Sequence, residues 1–170
     1  TASPEILAAL GQHRWMVPLL AELARANGAR FAELRHRLGL PRDSLARTID
    51  VAIAAGWAIR NSGHGHPLRP ELVLTEAGQG LAEVALQVAE ALAAQGLGPA
   101  ALSRWSLLLL QAMADGQERF NGLARSLPGA SPRALSQALQ KLVANDLAGR
   151  SVEAGYPPTS RYRLTERGLA

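Results

Sequence analysis

Residues 104–168 read RWSLLLLQAMADGQERFNGLARSLPGASPRALSQALQKLVANDLAGRSVEAGYPPTSRYRLTERG. Trp105, Leu108, Leu109 and Ala112 share one face at helical spacing, and Asp115-Gly116 breaks that period. A short helix then carries Phe120, Leu123 and Leu127, followed by the tight turn LPGAS. Ser131-Pro132 is a helix start, because serine caps free N–H groups and proline suits the first helical position. Leu135, Leu139, Leu142 and Val143 line one face of this third helix. Then the character changes. Leu147–Val152 predicts a strand, EAGYPPTS a tip and RYRLT a returning strand. A hairpin placed directly after a helix–turn–helix is the winged helix-turn-helix arrangement.

The same pattern occurs earlier in the chain. Arg14-Trp15 recurs as Arg104-Trp105, 90 positions on, and Leu45, Arg60 and Pro67 recur as Leu135, Arg150 and Pro157. Leu74-Thr75-Glu76 with Gly78 recurs as Leu164-Thr165-Glu166 with Gly168. Phe31 and Leu34 recur as Phe120 and Leu123 at a spacing of 89, and both length changes fall at Gly- or Pro-containing breaks. In the first copy Trp15, Leu19, Leu20 and Leu23 share a face, then Asn27-Gly28 breaks it. Phe31, Leu34 and Leu38, then Leu45, Ile49 and Ile53, follow as two more helices. Trp57–Arg60 and ELVLT predict strands around the tip SGHGHPLRP. Between the copies, Leu81, Val84, Ala85, Val88 and Leu92 make one apolar stripe, predicting a helix of roughly 20 Å. The expected fold class is mainly α with small β-hairpins (α+β): winged helix-turn-helix domains at 1–80 and 98–170, joined by a linker helix at 81–97.

Composition agrees with this plan. The chain has 170 residues, 48% hydrophobic and 19% charged, too apolar for a disordered chain. Aromatics are only 4%, against 29 Leu and 32 Ala, so an aliphatic, helix-rich core is expected. With no cysteine, disulfides, zinc–thiolate sites and thiol chemistry are excluded, which fits a cytoplasmic protein. No apolar run approaches the roughly 20 residues of a bilayer span, and the N-terminal residues do not resemble a signal peptide. Net charge is +4, and its distribution is uneven: residues 1–97 carry nine Arg and nine acids, residues 98–170 nine cations and five acids.

The segment 103–170 resembles the HxlR-type winged-helix regulators of bacteria. The residues that carry the resemblance are Arg104-Trp105, Arg119-Phe120-Asn121 with Leu123, Leu127 to Ser131, Leu135 and Leu139, Tyr156-Pro157-Pro158, and Tyr162 to Thr165 with Gly168. The first copy looks like a diverged relative that keeps Arg14-Trp15, Arg30-Phe31, Leu34 and Leu74-Thr75 but lacks the Tyr-Pro-Pro wing and the full Leu-Pro-Gly turn. The resemblance implies a DNA-binding transcription regulator, usually a homodimer, and a further helix after the last strand. Cysteine-based sensing, found in some members, has no residue to act through here.

Chemistry then follows from the faces. With Leu135, Leu139 and Leu142 inward, the third helix of the second copy offers Arg133, Ser136, Gln137, Gln140 and Lys141 to a major groove, where Gln pairs with adenine and Arg with guanine. The first copy offers Arg42, Ser44, Arg47 and Thr48, but Asp43 and Asp50 share the helix and would repel phosphate. Arg150, Arg161 and Arg163 flank the second wing, and Arg161 and Arg163, two residues apart in a strand, share one face for backbone or minor-groove contact. The first wing has Arg60, His64, His66 and Arg69, and two histidines on a loop are too few for a metal site. The tryptophans and phenylalanines read as packing residues. No nucleophile elbow, P-loop or HExxH motif is present, so no enzyme and no cofactor are expected. The expected partner is double-stranded DNA, bound either by an intramolecular pseudo-dimer or by a homodimer through the linker or terminal helices. The rival reading is a winged-helix scaffold for protein partners, to which the neutral first half would suit.

Overall fold

The computed structural model describes residues 2–61 and 71–170. Its elements are helices α1 (Pro4–Gly11), α2 (Met16–Ala26), α3 (Phe31–Leu38) and α4 (Arg42–Ala54), strands β1 (Ala58–Arg60) and β2 (Leu72–Leu74), and helix α5 (Glu76–Ala94). A 3₁₀ turn at Pro99–Ala101 leads into α6 (Ser106–Ala114), α7 (Phe120–Ser126) and α8 (Pro132–Ala144). Strands β3 (Ala148–Glu153) and β4 (Thr159–Leu164) and the short α9 (Glu166–Leu169) complete the chain. Three helices, two strands and a helix therefore occur in that order twice. The tip at 62–70, with His64, His66 and Arg69, lies outside the described residues.

The chain forms two units. One is His13–Ala94; the other joins Ser3–Gln12 to Gln95–Ala170. This division differs from the expected 1–80, 81–97 and 98–170. The apolar stripe expected of a linker helix belongs to α5, which starts at Glu76 and packs along α2 within the first unit. Ala85 and Leu92 of the stripe are buried, as is Ala82 beside it. Helix α1 packs on α6 in the second unit. Its residues were not read as a helix, yet Ser3-Pro4 repeats the start signal of Ser131-Pro132, with Ser3 Oγ accepting from the Ile6 N–H.

In the first unit the core is aliphatic: Met16, Leu19, Leu20, Leu23, Leu34, Leu45, Ile49 and Leu72 are buried. Strands β1 and β2 pair antiparallel, Ala58 with Leu74 and Arg60 with Leu72. In the second unit Leu109, Met113, Leu123, Leu127, Leu135, Leu139, Leu142 and Leu147 form the core. Trp105 and Phe120 pack against it half-buried, and Arg104 stacks on the Trp105 ring, 4.8 Å from its centroid, as Arg14 does on Trp15 at 4.7 Å. Strands β3 and β4 pair from Ala148 with Leu164 to Glu153 with Thr159. In both units the segment between the first two helices lies along the hairpin. The Leu72 N–H donates to the Ala29 carbonyl, and the Tyr162 N–H to the Glu118 carbonyl.

Candidate nucleic-acid interface

Helix α8 begins where the sequence places it. Ser131 is extended, its Oγ accepts from the Ala134 N–H at 3.1 Å, and Pro132 takes the first helical position. Leu135, Ala138, Leu139 and Leu142 are buried, which fixes the rotation of the helix. Arg133, Gln137 and Gln140, at i, i+4 and i+7, are consequently exposed on one side, with Ser136 and Lys141 half-exposed beside them. No hydrogen bond or ion pair to another described residue holds the side chains of Arg133, Gln137, Gln140 or Lys141. No carboxylate stands on this helix; the first acid after it is Asp146.

Helix α4 differs. Its N-cap position is Pro41, which offers no side-chain acceptor. Arg42 and Arg47 are exposed, and Ser44 is half-exposed. The Arg47 Nε–H is turned back onto the Asp43 carbonyl at 3.4 Å. Thr48, expected on the outer face, is only 5% exposed, because its hydroxyl donates to the Ser44 carbonyl at 2.8 Å. That bond satisfies the hydroxyl locally and lets the threonine methyl join the core. Asp50 lies 3.8 Å from the Arg60 guanidinium, so the wing arginine and the helix carboxylate offset one another.

The second hairpin carries Arg150, Arg161 and Arg163. Arg150 donates from Nη2 to Ser160 Oγ at 2.9 Å and remains exposed. Tyr162 and Leu164 turn toward the core, so Arg161 and Arg163 share the opposite face, as the alternation requires. Both are engaged by carboxylates there, Arg163 while remaining exposed. Arg163 forks onto Glu118, Nε to Oε1 at 2.7 Å and Nη2 to Oε2 at 3.1 Å. Arg161 donates from Nη1 to Glu118 Oε2 at 2.8 Å. Its Nε lies 2.6 Å from Glu153 Oε1, an ion pair in which the N–H is not aimed at the oxygen. Arg119 adds a looser pair to Glu153 at 3.6 Å. The Arg163 and Arg161 guanidiniums hold the Glu118 carboxyl below its ordinary value. Glu153 and Glu118 raise Arg161, and Glu118 raises Arg163. Sequence reading missed Glu118 because its pairs span 43 and 45 positions; Glu153, on the neighbouring strand β3, depends on the register of the hairpin. Beside this cluster, Gln117, Asn121, Arg125, Pro158 and Ser160 help to line an open groove of about 770 Å³ between α7 and the hairpin.

Among the described residues no group of three or more His, Asp or Glu side chains converges as a metal site. No helix among them is long and apolar enough to cross a membrane.

The chain is 36% identical over 66 residues to an uncharacterized HTH-type transcriptional regulator of Synechocystis sp., a match covering 39% of this chain and 49% of that protein. It is 38% identical over 66 residues to the uncharacterized HTH-type transcriptional regulator YtfH of Escherichia coli, covering 39% and 52%. The chain thus spans about half the length of these relatives. Diamide-treated YodB of Bacillus subtilis, a solved structure, is 31% identical with a TM-score of 0.38, covering 39% of this chain and 66% of that one. The family model that this chain matches is the HxlR-like helix-turn-helix, over residues 101–170, the segment whose motifs carried the resemblance.

Proposed function

We propose that the chain is a transcription regulator that binds double-stranded DNA, with α8 in the major groove and the β3–β4 hairpin on the backbone or in a minor groove. The observation that carries this reading is the outer side of α8. A cation, two carboxamides and a second cation stand there without a partner among the described residues, on a helix that carries no carboxylate and is fixed by buried leucines. Arg133, Gln137 and Gln140 would read base edges, with Ser136 and Lys141 on base or phosphate. Arg150 would add a wing contact. Arg161 and Arg163 would reach phosphate only by exchanging a carboxylate partner for it. The description of the relatives as HTH-type transcriptional regulators supports the same reading, and a cytoplasmic location goes with it.

The first unit is, in this proposal, a diverged copy of the second. It contributes Arg42, Ser44 and Arg47 weakly, because Asp43 and Asp50 lie on the same helix. Those carboxylates favour a second role for it, as the surface that meets a protein partner or a second subunit. Selection of bound sites from random duplex DNA tests the proposal. The expected result is an enriched half-site whose recovery depends on Arg133 and Gln137; recovery of unenriched sequence contradicts it.

A further inference from the structure

The carboxylates of the hairpin cluster occupy the arginines that would otherwise face phosphate. Glu118 presents two carboxylate oxygens to the Arg163 fork in the planar, two-bond geometry that a phosphate edge would also adopt. Its backbone is anchored independently, since the Glu118 carbonyl accepts from the Tyr162 N–H. The pair is asymmetric in exposure: the Arg163 side chain is 63% accessible and that of Glu118 29%. An ion pair at such exposure is weak, and a polyanion that brings phosphates and releases counterions can displace it. Arg161 is held differently, because Glu153 remains beside it when Glu118 is removed.

We propose that Glu118 is an internal competitor of DNA phosphate for Arg163, limiting the sequence-independent affinity of the wing. The proposal rests on the DNA-binding reading above. Glu118 acts through Arg163 and does not itself touch the duplex.

The experiment is a fluorescence-anisotropy titration of a 20-base-pair duplex of arbitrary sequence, over a range of salt, with wild type, Glu118→Gln, Glu118→Gln/Arg163→Ala and Arg133→Ala. Glu118→Gln keeps the side-chain shape and removes the charge. The expected result is binding tighter by roughly three- to tenfold near 0.1 M salt, with a log K against log salt slope steeper by about 0.9, the increment of one added phosphate contact. Adding Arg163→Ala should abolish both gains. A brace that merely holds the hairpin would give the reverse: weaker binding, an unchanged slope and faster exchange of the Tyr162 amide. If wild type binds and Arg133→Ala weakens it, but Glu118→Gln neither tightens binding nor steepens the slope, the competitor role is wrong and the DNA reading stands. If no variant binds duplex even in dilute buffer, both are wrong.

Discussion

Gly168 sits where any side chain would collide with the main chain, since a Cβ there would overlap the Leu147 carbonyl oxygen; Gly78 stands in the same relation to the Trp57 carbonyl. Each glycine follows a threonine that knots the end of its hairpin. Gly78 and Gly168 donate N–H to Thr75 and Thr165, and those hydroxyls donate to the Gly56 and Asp146 carbonyls. Gly168→Ala should therefore destabilise the second unit by about 1–3 kcal/mol, the usual cost of overpacking, read as a lower denaturant midpoint with unchanged m. The recurring Leu-Thr-Glu-x-Gly was legible as a repeat, but its physical cause, a backbone crossing too close for a Cβ, was not. Glu118 supplies a second residue-scale prediction. Its folded carboxyl titrates below its ordinary value of 4.5, so its contribution to stability is complete above that value and is lost as pH falls through the lowered one. The stability gap between wild type and Glu118→Gln should be constant near neutrality and should narrow below about pH 4.5 in urea titrations. A gap that widened in acid would refute the pairing.

At the scale of elements, helix starts and buried faces follow from local pattern. Ser131-Pro132 announced α8, and four buried positions fixed its rotation. Ser131→Ala should cost about 0.5–2 kcal/mol, since the Ala134 N–H loses its acceptor, and thermal unfolding would measure it. Helix α4 has the same burial pattern but no cap, and there the outward set was misread at Thr48, whose hydroxyl is satisfied by the preceding turn. Strand alternation placed Arg161 and Arg163 on one face correctly. It could not show that Glu118 meets them, because strand period says nothing about which distant loop lies alongside; Glu153 reaches Arg161 from the neighbouring strand β3, through a register that alternation alone does not set. Helix α5 was expected from Leu81, since Gly78 and Gly80 weaken a helical pattern; it begins at Glu76, where Thr75 Oγ1 accepts from the Gly78 N–H, and the glycine at 78 answers to the close approach of the Trp57 carbonyl.

For the molecule as a whole, the division into units was only partly legible. The sequence pattern recurs across the chain, but the place of α1 depends on contacts made across more than ninety positions, which no local pattern encodes. Leu7 and Leu10 of α1 are buried, and Gly11 abuts the Arg104 carbonyl. Leu10→Ala should thus destabilise the second unit by about 2–5 kcal/mol. Amide exchange should quicken in α6 and leave α2 unaffected. The uneven charge also belongs at this scale: the excess cations lie at 98–170, in the unit whose α8 has no acid. The most direct test is a titration of the whole chain with duplex DNA at low salt, comparing wild type with Arg133→Ala/Gln137→Ala and with Arg42→Ala/Arg47→Ala. The account predicts that wild type binds, that the α8 pair loses affinity at least about tenfold, roughly 1.4 kcal/mol or more, and that the α4 pair loses less. Binding that survives the α8 changes, or depends more on α4, would contradict it.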